Sequence, residues 1–191
     1  MTPEEILAFW LDEVGEKGWY EEDADLDAEI TRRFKASWEA ARDGGLSLWM
    51  TYPSGSLAYL ILTDQFSRNM FRGEPKAFAT DPAALAQSKI AVDKGWDLKI
   101  DEPARQFFYM PMMHSECISD QERCIRMFMT RMPKTGAENL LHARAHRDVI
   151  RKFGRFPYRN DALERQTLET EMAFLQNGGY GATVRELQAS S

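Results

Sequence analysis

Three stretches of the sequence concentrate side chains able to hold ions or move protons. HRDVIRKFGRFPYRN, residues 146–160, sets five Arg or Lys side chains, two Phe and a Tyr around one Gly and one Pro. A helix end needs one Gly and a cation or two to cap it and complement its dipole. The surplus of guanidinium donors must be met by an anion or an internal carboxylate, above all at Arg155 and Arg159. His142 and His146 stand four apart, on the apolar face with Val149, Ile150 and Phe153, while Arg144, Arg147 and Arg151 share the other side. Inward histidines are usually hydrogen-bonded core residues, and this spacing also suits a metal pair. The Glu that directly follows the first His in a zinc-protease helix is missing, so no metal is assigned.

YMPMMHSECISDQE, 109–122, places His114 and Glu116 two apart, as an acid–base pair or simply as a capped turn between helices. Pro111 is expected to break the preceding helix and leave His114, Ser115 and Glu116 in a loop. TDQFSRNMFRG, 63–73, places Asp64 and Arg68 on one helical face, where an acid ahead of a base can pair, with Asn69, Arg72 and the stop Gly73 after them. Such a pair is structural about as often as functional.

The elements that must position these groups are almost all helices. Thr2-Pro3-Glu4-Glu5 opens the first with a capping box, and Ile6, Leu7, Trp10, Leu11 and Val14 follow at helical spacing. Leu26, Ile30, Phe34, Trp38 and Ala41 make a second stripe that ends at Gly44-Gly45. Further helices are expected over about 54–70, from Asp81-Pro82 to Gly95, from about 102 to Pro111, and from a Ser119–Glu122 capping box to Pro133. Two more run from about 136 to 153, with Gly154 as left-handed cap, and from 168 to 177. LSLWMTY, 46–52, is the one strand candidate, too little for a sheet. The expectation is an all-α chain of about eight helices, a single domain over 1–179 and a frayed tail over 180–191.

With 191 residues, 43% hydrophobic and 28% charged, the chain has the make-up of a soluble domain with a sizeable core. No run reaches the ~20 apolar residues of a membrane span. The acidic, amphipathic start lacks the features of a signal peptide, so the cytoplasm is expected. Cys117 and Cys124, seven apart, are expected to be reduced thiols. The net charge of −6 is uneven. Residues 1–30 hold eleven acids and one Lys, and residues 121–165 hold eleven Lys or Arg against five acids. The overall acidity argues against a nucleic-acid partner.

LILTDQFSRNMFRGEPKAFATDP, the FFYMPMMHSE–DQER run and HRDVIRKFGRFPYRN together resemble the signature blocks of DUF924, a family of uncharacterised, mainly bacterial proteins. The resemblance implies an all-α, tetratricopeptide-like, right-handed arrangement of antiparallel helical hairpins, and carries no established reaction. Its blocks fall on Asp64, Gln65, Arg68, Asn69, Arg72, Gly73, His114, Ser115, Glu116, Asp120, Gln121, Glu122, His146, Arg147, Gly154, Arg155, Phe156, Arg159 and Asn160. Two departures stand out. Tyr158 occupies a position where relatives commonly carry His, so an acid–base role for a histidine at 158 is impossible here. Leu163-Glu164-Arg165 replaces a common Leu-Gly-Arg, and Glu164 is expected to alter the loop backbone.

Three functional readings follow. In the first, Arg68, Asn69, Arg72, Arg147, Arg155, Arg159 and Asn160 hold an anionic small molecule or a peptide carboxylate, without cofactor or membrane, and a partner protein is a further option. In the second, His114 or His146 is a general base, oriented by Glu116 or Asp64. In the third, the charges satisfy one another in an internal network that fixes the helices. Binding ranks first.

Overall fold

The computed structural model describes residues 1–190, and the regular elements among the described residues are all helical, with no strand. Where one domain is expected over 1–179, the contacts form two compact units, Met1–Pro111 and Met112–Ser191.

In the first unit, the expected capping box is present: Thr2 N–H donates to Glu5 Oε2 at 2.6 Å, and Glu5 N–H to Thr2 Oγ1 at 3.4 Å. The helix Ala24–Arg42 buries Ile30, Phe34, Trp38 and Ala41, the stripe its periodicity marks out. Its inner face meets an aromatic core. Phe9 and Phe66 each pack against Phe34, at 4.9 and 4.9 Å between centroids, and Trp10 packs edge-on to Phe66 at 5.2 Å. Each such ring removed from water stabilises the fold by about 2–3 kcal/mol.

The segment around the first charged motif is one long helical path, Pro53–Leu60, Ile61–Phe66 and Ser67–Met70. Its middle turn is a widened π turn, and every residue from Ile61 to Phe66 is buried. Widening frees backbone carbonyls, and hydroxyls take them. Thr63 O accepts from Ser67 Oγ at 3.0 Å and from Thr80 Oγ1 at 2.5 Å.

LSLWMTY is not a strand. Ser47–Thr51 is a 3₁₀ turn folded back on the helix that follows. Gly55 makes this possible, because a Cβ there would lie 2.4 Å from the Trp49 carbonyl and 2.6 Å from the Tyr52 ring.

In the second unit, Ile118–Arg131 and Ala137–Phe153 are joined by a short link, and the latter ends at Gly154 with φ 70°, the expected left-handed cap. The expected Ser119–Glu122 capping box does not form. Cys117 is the cap residue and supplies no side-chain hydrogen bond to the helix, while Ser119 Oγ lies 3.1 Å from Cys117 Sγ. Pro111 does not end a helix either; it sits inside the short turn Met110–Met113, near its start, where a missing N–H costs nothing. Glu169–Gln176 follows as expected. The frayed tail is instead the helix Gly179–Ala189, held because Tyr180 packs on the Val149, Ile150 and Phe156 core. Cys117 is exposed and Cys124 buried, and both are free thiols.

Candidate functional site

The residues singled out in the sequence fall into two groups, one in each unit. In the first unit, Asp64 is buried and its Oδ1 lies 3.2 Å from Arg68 Nη1, which also donates to the Asp64 carbonyl at 2.6 Å. Arg68 Nη2 donates to Asp81 Oδ2 at 3.0 Å, and Gln65 Nε2 to Asp64 Oδ2 at 2.5 Å. Asn69 and Arg72 converge on one carboxylate, Asp27. Asn69 Nδ2 donates to its Oδ1 at 2.7 Å, and Arg72 Nε and Nη2 take both oxygens at 2.9 and 3.0 Å. This bidentate fork ties the end of the TDQFSRN helix to Ala24–Arg42. Asp27 carries no signal in the sequence beyond membership of the acidic start.

The second unit answers the question raised by its surplus cations. Arg155 is clamped on the buried Glu171, donating through Nε to Oε1 at 2.6 Å and through Nη2 to Oε2 at 2.7 Å. Glu171 also accepts from Asn160 Nδ2 at 3.1 Å and from the Leu168 backbone N–H at 2.8 Å. The Arg155 guanidinium first, against the opposing cost of burial, with the Leu168 N–H and Asn160 assisting, holds the Glu171 carboxyl down to about 2. Glu116 is equally engaged. It accepts the Phe156 N–H at 2.8 Å and two Arg165 donors, Nη1 at 2.8 Å and Nη2 at 3.1 Å. Burial pushes this carboxyl up, but Arg165, the Phe156 N–H and the charge of Arg159 outweigh it and leave it below the usual range. Arg147 meets Asp148 at 2.9 Å, and Arg151 meets Glu122 at 2.5 Å. Arg165 and Glu171, the partners of Glu116 and Arg155, are not among the candidate site residues that the sequence marks out. Arg165 is part of the Leu-Glu-Arg departure, and Glu171 looks like an ordinary helix-start acid.

Glu164 takes φ 53°, the one left-handed non-glycine residue among those described. That conformation is one a glycine adopts without steric cost and a side chain does not.

What the carboxylates leave over is a histidine and its aromatic surround. His146 Nδ1 lies 2.9 Å from the His142 carbonyl, which only accepts, so the imidazole carries its proton on Nδ1. Nε2 is then a bare acceptor, and among the described residues it takes no hydrogen bond. Burial first, then the neighbouring His114 and, more weakly, the Arg159 charge, push the His146 pKa down to about 3, against the pull of the His142 carbonyl. The ring is therefore neutral at physiological pH. Phe156 and Tyr180 pack edge-on to it at 5.3 and 4.7 Å, and the His114 ring is 6.3 Å away. Arg159 is nearly buried, with its guanidinium carbon 4.5 Å from the Phe156 ring centre. No group of three or more metal-ligating side chains suited to a metal ion exists among the described residues.

The family model for bacterial proteins of unknown function, DUF924, matches residues 6–179. The chain belongs to the DUF924 family. The DUF924 chain is also similar to a solved structure, the protein of unknown function ATU0120 from Agrobacterium tumefaciens. The two share 36% identity with a TM-score of 0.86, over 92% of this chain and 97% of that one. No curated protein matches the DUF924 chain. The likeness thus carries a fold over nearly its whole length and no reaction.

Proposed function

We propose that this chain binds an anionic small molecule or a peptide carboxylate in its second unit, at His146 rather than at the arginine cluster. The observation that carries this reading is the bare Nε2 of His146, a neutral acceptor of fixed tautomer beside the positive charge of Arg159. A ligand with an O–H or N–H donor answers the acceptor, and the nearby guanidinium favours a negative group beside that donor. The helices form antiparallel hairpins in a tetratricopeptide-like, right-handed arrangement in this reading, and the short link between Ile118–Arg131 and Ala137–Phe153 supports it. The free thiols support a cytoplasmic protein.

Catalysis by His146 as general base is the weaker reading. A base with a pKa of about 3 holds few protons at neutral pH, far from the matched value near 7 that such catalysis favours. Arg147, Arg151, Arg155 and Arg165, each on a carboxylate, serve the scaffold instead.

A thermal-shift screen of phosphates, di- and tricarboxylates, nucleotides and short peptides tests the proposal. A ligand at 100 times its Kd adds about 2.7 kcal/mol of stability. The expected hit survives in Arg155→Ala and disappears in His146→Phe. A hit abolished by Arg155→Ala alone moves the site to the clamp, and a screen without any hit sinks the reading.

A further inference from the structure

The second unit holds a cavity of about 520 Å³ between Ala137–Phe153, Glu169–Gln176 and Gly179–Ala189, and His146 does not line it. Small side chains leave the space open, Ala173 on the second of these helices and Ala182 and Thr183 on the third. Its apolar lining is Val149, Phe174 and Leu187. Val149 belongs to the core, and Phe174 packs on Phe153 at 4.9 Å. A cavity of this size falls in the range of roughly 300–1,000 Å³ that takes a small organic ligand of many atoms.

Two opposite charges line the cavity, and neither has an ion-pair partner among the described residues. Lys152 Nζ lies over the rings of Phe153 and Phe174, 5.2 and 5.7 Å from their centres, and meets no carboxylate. The Glu186 carboxylate accepts from no donor. This sets the pair apart from Arg147, Arg151, Arg155 and Arg165, which all have carboxylates. Asp148, the third charge of the lining, is taken by Arg147 at 2.9 Å.

The polar lining has already spent protons on the helices. Thr183 Oγ1 donates to the Gly179 carbonyl at 3.4 Å, and Ser190 Oγ to the Glu186 carbonyl at 2.8 Å. Both hydroxyls keep lone pairs, which call for N–H or O–H donors. A complementary occupant therefore brings one carboxylate, one ammonium, N–H donors between them and apolar groups.

We infer that this cavity takes a short free peptide with apolar side chains. Its carboxylate lies on Lys152, its ammonium on Glu186 and its N–H groups on the two hydroxyls. The site is separate from the one proposed above and does not depend on it.

Isothermal titration of the whole chain with four probes tests this. Leucyl-leucine carries every feature, its N-acetyl form lacks the ammonium, its C-terminal amide lacks the carboxylate, and leucine lacks the peptide unit. Leucyl-leucine is expected to bind roughly tenfold tighter than the other three. Lys152→Met is expected to weaken it about tenfold and leave the amide unchanged, while Glu186→Gln weakens it likewise and leaves the N-acetyl form unchanged. Both side chains are exposed, so neither change disturbs the core. Ala173→Trp, which fills the cavity, is expected to abolish binding with the helical circular dichroism unchanged. Binding that persists in Ala173→Trp places the peptide elsewhere and overturns the inference. Leucine binding as tightly as leucyl-leucine overturns the peptide class. An equally tight N-acetyl or amide form points to one end of a longer chain and overturns the free peptide. No heat with any probe to about 10 mM overturns the site itself, and the anion screen still decides the His146 reading.

Discussion

Glu116 accepts the backbone N–H of Phe156 at 2.8 Å, from a loop forty residues earlier in the chain. Its second oxygen accepts from Arg165 Nη1 at 2.8 Å, and Arg165 Nη2 in turn donates to the Phe156 carbonyl at 3.1 Å. One carboxylate and one guanidinium thus hold both sides of the Phe156 peptide unit. The FGRFPYRN loop is positioned by this latch, and with it the ring that packs on His146. Glu116→Ala should lower unfolding free energy by about 2–4 kcal/mol, because it leaves Arg165 and the Phe156 N–H without their anion. Urea denaturation measures this, and a loss below about 0.5 kcal/mol contradicts the latch.

The Arg155–Glu171 clamp predicts an acid-sensitive step. The folded pKa of Glu171, about 2, lies below that of an unfolded Glu, about 4.3. The folded state therefore binds fewer protons between these values, and stability falls as pH drops. The contribution is fully present above about pH 4.5 and is lost by about pH 2. Wild type should lose stability more steeply over that window than Glu171→Gln, as read by chemical denaturation at stepped pH. Equal slopes would remove the clamp as the cause.

His146 should not titrate near neutrality. Its folded pKa of about 3 lies below the usual 6.5, so the unfolded chain takes up a proton that the folded one refuses. Its stabilising contribution is present above about pH 6.5 and declines as pH falls towards 3. The imidazole carbon-bound proton signals should stay constant from pH 8 to pH 5, and a midpoint near 6.5 would show that the ring is solvated and not held as described.

Glu164 pays for its left-handed backbone at φ 53°. Glycine takes that conformation without the Cβ clash, though it gains unfolded-state freedom as well. Glu164→Gly should stabilise the chain by about 0.5–1 kcal/mol, seen as a rise of roughly 1–4 °C in Tm. A fall in Tm would mean that the Glu164 side chain supports the loop through contacts of its own.

The helices were legible because their causes are local. The Ala24–Arg42 stripe, the Thr2 box and the Gly154 cap follow from spacing and φ freedom within a few residues, and the structure has all three. LSLWMTY misled because alternation alone does not reveal that Gly55 lets a backbone carbonyl come close. Ser119 misled because a capping box competes with other partners, and here Ser119 faces Cys117. The tail misled because a short terminal segment does not show in its own sequence that Tyr180 has a core to enter.

The sequence by itself determined that the chain is helical, that residues 146–160 carry more cations than a helix end requires, and that those cations need anions. Only the tertiary structure decided which anions. Glu171 and Glu116 reach Arg155 and Arg165 from sixteen and forty-nine residues away, and Asp27 reaches Arg72 across forty-five. A charge requirement is a property of residue types and is written locally. Its satisfaction depends on which distant carboxylate the packed helices bring within 3 Å, and local spacing does not fix that.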